Sequence, residues 1–385
     1  MKTDVRQPQT TEERESIFRL RYDVYVAELG HAKLAHVDRE RRMLVDDLDA
    51  TGQLFLAESE GRTIGTLRYN DAAGFSGEFA RRYGADRLRE AGIGEWIYVS
   101  RLMISQDVRG RGALQPLLTA SYEHMLAHGV RCALINCAPG LVRMYEQLGF
   151  RRHMEGFVEP ELGYRVPMML LLRDAEHLEA VRSPLWKVLS KEPAGTWETP
   201  ATVLRVQRAF AKREEVSEEE YWKQMATAIQ QKDRGAFSLF DGFAEEEGRQ
   251  MLRDWIVLPC RRGDAVARSG DVGDEMYLVL GGSFDVRSAN GGAALGTLGI
   301  GDVFGEVGFI AGLKRTADVI AAEDSEVLVI TPLALRRAMA NDPANAAHFL
   351  FNLARILGGR LSRSNDALAT LPALPGSGAA AAINS

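Results

Sequence analysis

The sequence predicts two unlike folded units and a connector: an α/β domain, a mixed sheet with flanking helices, over residues 11–175, a helical connector over 176–235, and a small β-barrel or jelly roll over 236–366 closed by a C-terminal helix. Three observations predict it. Helical stretches alternate with strand-like runs through the first half, as "TEERESIFRLRYDVYVAELG" gives way to "QLFLAES" and "TIGTLRYN". From 236 to about 335, short alternating strands are punctuated by "RRGD", "SGDVGDE", "GGS", "NGG" and "GIGD", the rhythm of a barrel or sandwich. Between them lies a charged stretch without alternation that contains Pro184, Pro193 and Pro200. A chain of 385 residues, 46% of them hydrophobic, has enough apolar surface for more than one core.

Composition narrows the function classes. Lys+Arg 47 against Asp+Glu 53 leaves a net charge of -6, so no global electrostatic case for nucleic-acid binding exists. Cys132, Cys137 and Cys260 form neither a CxxC pair nor a disulfide framework, which points to a reducing compartment, no metal site, and buried thiols acting as small apolar groups. The polar start "MKTDVRQPQTTEERES" has no apolar core, and the longest apolar run, "VPMMLLL", is too short to span a bilayer. A cytoplasmic protein is expected, with peripheral membrane contact left open. Residues 367–385, "TLPALPGSGAAAAINS" included, read as a disordered tail.

In the first domain, "SRLMISQDVRGRGALQPLLTASYEHMLAHGV" is a strand, then Arg109-Gly110-Arg111-Gly112, then a helix, so that backbone amides and a helix N-terminus converge where a pyrophosphate can rest. Further on, "INCAPGLVRMYEQLGFRRH" holds a strand, a helix bearing Tyr145, and Leu148-Gly149-Phe150 opening the next strand. Together these resemble the GCN5-related N-acyltransferase superfamily. Leu114 stands where that pattern has a small residue, which makes an acyl carrier protein an alternative to coenzyme A as the bearer of the acyl group. The earlier segments "FRLRYDVYVAELG", "VDDLDATGQLFLAES", "TIGTLRYN" and "VSRLMI" resemble the acyl-homoserine-lactone synthases and the related N-acyl amino acid synthases. The resemblance implies site roles for Arg21 and Tyr25, for the acidic pair Asp46 and Asp49, for Arg68, and for Ser100-Arg101. Tyr98 stands where the lactone synthases carry a glutamate, which argues against lactone production, and "RVPMMLLLRDAEHL" at the domain's end resembles the amino acid synthase side. Read without the resemblance, Arg21 and Asp49 are also a structural ion pair, and Arg68 and Arg101 solvated strand ends.

Amide formation from a thioester sets further expectations. A strand-edge amide near Leu102 or Met103 would polarise the carbonyl. Glu95, Asp46 or Asp49 would take the proton of the attacking ammonium, and Tyr145 would protonate the departing thiolate. Cys137 lacks the spacing of a nucleophilic cysteine site.

In the second domain, "GDVFGEVGFIAGLKRTADVIA" (301–321) places Gly301, Gly305 and Gly308 where the backbone must turn tightly and offer amides to an anion. Arg315 supplies a fixed positive fork and Glu306 an acceptor for a sugar hydroxyl, a set that fits a phosphorylated ribose. With "SLFDGFAEEEGRQMLRDW" and "GDEMYLVLGGSFDV", the region resembles the cyclic nucleotide-binding domain. That implies contacts from Gly305 and Glu306 to the ribose, from Arg315 to the cyclic phosphate, and from Thr316 to phosphate or base, with the helix from about 343 to 366 as a lid. The effector is cAMP or cGMP. No helix-turn-helix follows this lid, so nucleic acid is not an expected partner. The expected whole is a cyclic-nucleotide-regulated N-acyltransferase using acyl-acyl carrier protein or acyl-coenzyme A and a small amine acceptor. The alternative is a cAMP-regulated acyltransferase for protein lysines.

Overall fold

The computed structural model describes residues 2–30, 34–72, 75, 77–159, 161–210, 238–252, 255–289 and 292–369. Most of the tail and the connector segment "SEEEYWKQMATAIQQKD" lie outside these residues.

The first domain is an α/β unit on a mixed sheet. Its strands are β1 (Asp4–Arg6), β4 (Gln53–Ser59), β5 (Arg62–Asp71), β6 (Trp96–Ile104), β7 (Cys132–Cys137), β8 (Arg151–Arg152), β9 (Phe157–Glu159) and β10 (Gly163–Leu171), while β2 (Val37–Asp38) and β3 (Met43–Leu44) form a separate ribbon. The sheet order is β1-β4-β5-β6-β7-β10-β8, with β9 also on β10. Only β6 and β7 run parallel; the other pairs are antiparallel. The sheet therefore begins with β1, ahead of residue 11, where the polar opening segment pairs with β4.

Helix α1 (Thr11–Tyr22) starts at a capping box: Thr10 accepts from the Glu13 amide while the Glu13 carboxylate accepts from the Thr10 amide. It continues into a π-helical turn, Asp23–Glu28, a wider turn of the kind often found at functional sites. Helices α2 (Gly77–Arg82) and α3 (Ala85–Glu90) follow β5, α4 (Leu114–Ala127) links β6 to β7, and α5 (Val142–Leu148) follows β7. Within the connector, α6 (Ala175–Ala180), α7 (Trp186–Leu189) and α8 (Pro200–Phe210) are helical. Val206 and Phe210 of α8 join the apolar cluster around Tyr83, Trp96 and Tyr98, so this part of the connector is packed onto the first domain.

The second domain is a sandwich of two antiparallel four-stranded sheets. One is ordered β11 (Ile256–Cys260), β18 (Ser325–Ile330), β13 (Met276–Gly281), β16 (Val303–Phe304); the other β12 (Ala265–Ala267), β17 (Asp318–Ala321), β14 (Phe284–Arg287), β15 (Ala294–Leu298). The C-terminal helix is a single run, Pro343–Ala369, longer than the lid expected from the sequence. One apolar cluster extends from Tyr164, Val166 and Met168 of the first domain to Ile256, Leu258 and Tyr277 of the second. Tyr164 Oη donates to the Pro259 carbonyl at 2.6 Å and Arg152 to the Val257 carbonyl at 3.2 Å, so the domains meet along β10 and β11. Among the described residues, no helix is long and apolar enough to cross a membrane.

Candidate functional site

The first cavity exists because two neighbouring strands part. β6 and β7 are paired only where Trp96, Ile97 and Tyr98 face Cys132, Ala133 and Leu134. Beyond Tyr98 they diverge around a cavity of about 500 Å³, lined by Val99, Ser100, Arg101 and Leu102 on one side and Asn136, Cys137 and Ala138 on the other. At this point β6 also carries a bulge: Arg68 pairs with Ser100 and Thr66 with Met103, so Arg101 and Leu102 together oppose Leu67. Arg101 takes a left-handed φ of 55°, a conformation that costs an arginine energy and that the surrounding structure must impose. The bulge turns Arg101 and Leu102 toward the gap.

A buried charge network lies along one wall. Asp49 accepts from Arg21 Nη1 at 2.7 and 2.8 Å, from Arg68 Nη1 at 2.8 Å, and from the Asp46 amide at 2.9 Å. Asp46 in turn pairs with Arg68 and takes a two-point contact from Arg101, with Nε at 3.1 Å and Nη2 at 2.6 Å. Arg101 lies 5.1 Å from the centre of the Tyr25 ring. Burial works to raise the Asp46 pKa, but the hydrogen bond from Arg68 and the charges of Arg101 and Arg68 outweigh it and hold it down at about 2. Burial likewise works against the charge of Arg101, and Tyr25 and Asp46 overcome it, so this guanidinium stays protonated. Arg21 is fully enclosed, and burial lowers its pKa to about 10 despite Asp49.

Of the residues singled out from sequence, Tyr25, Asp46, Arg68, Ser100, Arg101 and Tyr145 line this cavity; Arg21 and Asp49 stand behind it and hold Arg68 and the Asp46 turn. Tyr145 is buried, and burial pushes its phenol upward, which keeps it protonated and able to donate. Glu95 is not brought to the site. It is exposed beside Trp96, just ahead of β6 and five residues before the strand's midpoint at Ser100, and its charge acts on Arg131. Arg109 to Gly112 lie in the turn before α4, outside the cavity lining, and the Arg109 guanidinium is paired with Glu28 and donates to the Ile104 carbonyl at 2.9 Å. Leu114 is half-buried and packs against the main core. Cys137 is buried and its thiol is pushed up to about 12 by that burial, which leaves it a poor nucleophile.

Four charged residues at the cavity were not read from the sequence, Arg82, Glu159, Glu161 and Arg165, and two of them lie on the β9–β10 ribbon. Glu159 on β9 accepts from Asn136 Nδ2 at 3.4 Å, and Arg165 on β10 donates from Nη2 to the Leu162 carbonyl at 2.6 Å. Their side chains reach the cavity only through the β9–β10 pairing, which no local motif announces.

The second cavity, about 550 Å³, lies in the sandwich and brings together Gly305, Glu306, Arg315 and Thr316 as the glycine-spaced loop suggested. Gly305 has φ 78°, and a Cβ there would stand 2.5 Å from Arg315 Nη1 and 2.9 Å from the Glu275 carbonyl, so no larger residue fits. Arg315 donates from Nη1 to the Gly305 carbonyl at 3.0 Å. Its Nη2 lies 3.0 Å from Glu275 Oε1 yet forms no aligned hydrogen bond, so this ion pair leaves a donor unspent. Arg360, Arg363 and Ser364 of the C-terminal helix close the cavity, and Arg360 donates to Glu306 at 3.0 Å. Spacing of 360, 363 and 364 on one helical face was the available sequence signal for this contribution.

Comparison with known proteins follows this division. Residues 16–174 match the sequence family described as N-acyl amino acid synthase FeeM, and residues 257–342 match the cyclic nucleotide-binding domain family. The chain joins an N-acyl amino acid synthase domain to a cyclic nucleotide-binding domain. The first is thus an N-acyltransferase domain. The second is 35% identical over 129 residues to a mouse cyclic nucleotide-gated channel beta-3, covering 32% of this chain and 18% of the channel. It is 34% identical over 95 residues to a Thermus thermophilus cyclic AMP receptor protein, covering 24% of this chain and 44% of that protein. The chain therefore spans less than half the length of these relatives. Among solved structures, a cyclic nucleotide-binding domain from Methylobacillus flagellatus is 25% identical with a TM-score of 0.36, covering 40% of this chain and 88% of the other. TofI, solved in a ternary complex with an inhibitor and MTA, is 18% identical with a TM-score of 0.38, covering 48% of this chain and 97% of TofI.

Proposed function

We propose that the protein is a cyclic-nucleotide-regulated N-acyltransferase that moves a fatty acyl group from a thioester, on acyl carrier protein or coenzyme A, to the amino group of an amino acid. Its units are taken as 11–175, 176–235, 236–366 and a tail, 367–385, in a cytoplasmic protein. The observation that carries the regulatory part is the placement of the segments around Arg315. The Arg315 amide donates to the Asp271 carbonyl at 2.8 Å, and the Gly270 amide donates to the Arg315 carbonyl at 2.8 Å. These segments abut loops of the first domain. A Cβ at Gly163 would lie 3.7 Å from Asp271 Oδ2, one at Gly140 would lie 3.4 Å from Glu275 Oε2, and one at Gly30 would lie 2.6 Å from Lys314 Nζ. Each loop carries a residue of the acyltransferase cavity close by: Leu162 and Arg165, Leu141, and Leu34.

In this reading the donor carbonyl sits at the β6 bulge, where the Leu102 amide polarises it. Arg68, Arg101 and Asp46 form a rigid polar wall, Tyr145 protonates the leaving thiolate, and Arg109, Gly110, Arg111 and Gly112 approach the donor's phosphate groups. Asp46 and Asp49 position rather than accept protons, because arginines saturate both. In the other domain Arg315 and Thr316 take the cyclic phosphate and Gly305 and Glu306 the ribose of cAMP or cGMP.

The test is acyl transfer by the purified chain with and without saturating cAMP or cGMP, products being read by mass spectrometry. A typical coupling of about 1–3 kcal/mol corresponds to roughly 5- to 150-fold changes in donor or acceptor affinity, with the same factor returned in nucleotide affinity. Acylated lysines in place of N-acyl amino acids would move the reading to the protein-modifying alternative. No response to either nucleotide would refute the regulatory half alone.

A further inference from the structure

We propose that Glu159 and Arg165, on the β9–β10 ribbon, form the receptor for a free α-amino acid: Arg165 takes its carboxylate, and Glu159 holds its ammonium and accepts the proton that must leave before attack. The inference rests on the reading of the protein as an amino acid N-acyltransferase and specifies where the acceptor sits.

Strand register supplies the geometry. Glu159 faces Gly163 and Phe157 faces Arg165, so Glu159 and Arg165 are diagonal neighbours on the same face of the ribbon. Such pairs have Cβ atoms about 7–8 Å apart, a span that long side chains can bridge. Here they do not bridge it. Neither makes an ion pair with the other or with any described residue, although both line the same cavity as Ser100, Arg101 and Tyr145. Among the described residues, Glu159 accepts only the long 3.4 Å contact from Asn136. Arg165 spends Nη2 on the Leu162 carbonyl, and its Nε has no acceptor.

The other acidic groups of the cavity already have partners: Asp46 pairs with Arg68 and Arg101, and Glu161 accepts from the Ala35 amide at 2.8 Å. Arg82, at 3.7 Å from Glu78, lies over the Phe157 ring. On the ribbon itself Glu159 and Arg165 stand as a carboxylate and a guanidinium held apart in a partly desolvated gap. A ligand with both charges on one carbon neutralises both at once. In the reaction Glu159 takes one proton from the ammonium, and the freed nitrogen lone pair attacks the thioester carbonyl carbon. The C–N bond forms and the C–S bond breaks. The departing thiolate takes the phenolic proton of Tyr145, the second nitrogen proton restores that phenol as the amide forms, and Glu159 gives its proton to solvent, so both side chains end as they began.

The experiment uses the full chain, fatty acyl thioesters on both carriers, a pool of L-amino acids, and then the best acceptor beside its amide. Arg165→Gln is expected to raise KM for the amino acid about 10- to 100-fold, as loss of a charge-assisted contact does, while KM for the amide is unchanged and Arg165→Lys recovers part of the loss. Glu159→Gln is expected to lower kcat for the amino acid and to spare transfer to hydroxylamine, whose nitrogen is unprotonated at neutral pH. An unchanged circular dichroism spectrum and thermal midpoint verify folding of each variant. An unchanged amino acid KM in Arg165→Gln, or a rise confined to the donor KM, overturns the inference while leaving the acyltransferase reading intact. A parent chain that acylates no free amino acid overturns both.

Discussion

Asp49→Ala is expected to unfold the first domain far more readily than any nearby change, because it strands a buried charge. Asp49 is 3% exposed and is the partner of Arg21, which has no exposure at all and whose Nε and Nη2 already lack acceptors. Removing one member of a buried pair costs about 3–5 kcal/mol. The charge of Arg68 does not add a second such term, since Arg68 keeps Asp46. Set against a typical total stability of about 5–15 kcal/mol, the loss is large. Urea unfolding followed by circular dichroism measures it, and a double variant, Arg21→Met with Asp49→Ala, identifies its cause. If the loss comes from the stranded guanidinium, the double variant is more stable than Asp49→Ala alone, as a double-mutant cycle reveals. Asp46→Asn, at a more exposed position and with Asp49 still in place, should cost only about 1 kcal/mol while lowering acyl transfer. A shift below about 1 kcal/mol for Asp49→Ala, or a double variant no more stable than the single one, refutes the stranded-charge account.

Two further outcomes are expected. Arg315→Ala should reduce cAMP affinity by about 1.5–3 kcal/mol, roughly 10- to 150-fold, in calorimetry, and unchanged affinity would show that the phosphate is held elsewhere. Burial pushes the His153 pKa down to about 4 from 6.5, against the pull of the Tyr83 and Pro167 carbonyls. Between those values the unfolded chain binds the proton and the folded chain does not, so stability should fall as pH drops from about 6.5 to 4, and His153→Gln should flatten that slope. The contribution of Asp46, whose folded pKa is about 2, is lost in a separate window as pH falls from the ordinary carboxylate range near 4 toward 2.

The legible parts of the protein were those with local periodicity or fixed spacing. Strand-like apolar runs, "QLFLAES" and "TIGTLRYN", identified β4 and β5, and glycine spacing identified the loop before Arg315. Arg21, Asp46, Asp49, Arg68 and Arg101 were legible through the resemblance to the acyl-homoserine-lactone and N-acyl amino acid synthases, and the structure gathers all of them into one network. Three things were not legible, for physical reasons. Glu95 lies only five residues before Ser100, but an extended strand places residues so separated well over 10 Å apart, far from the bulge. The turn Arg109–Gly112 was read for its backbone amides, and nothing local announced that the Arg109 side chain pairs with Glu28 of the π-helical turn, distant in sequence. Glu159 and Arg165 belong together only through antiparallel register, which depends on how the hairpin closes around Gly163, with φ 74°.

The short path between the two cavities bears on the form regulation takes. Arg315 faces the nucleotide cavity with its side chain, while its backbone is hydrogen-bonded to Asp271 and Gly270, and Asp271 stands against the ribbon at Gly163. A cyclic phosphate and Glu275 would compete for the same guanidinium, and Glu275 stands against the turn at Gly140, next to Leu141 of the acyltransferase cavity. A ligand on Arg315 therefore acts on a turn and a ribbon at the cavity wall, without needing a chain of intermediates through the connector. Because the two domains share one close-packed apolar cluster, such a shift moves packed units together instead of being absorbed between them. The elements it reaches carry Leu141 and the Glu159–Arg165 ribbon, not Asp46, Arg68 or Arg101, which the buried network fixes from the far wall. Regulation by this route would act on acceptor affinity and leave the polar wall unchanged. A nucleotide effect seen wholly in kcat, at saturating acceptor and donor, would require a different route, one that reaches the β6 bulge.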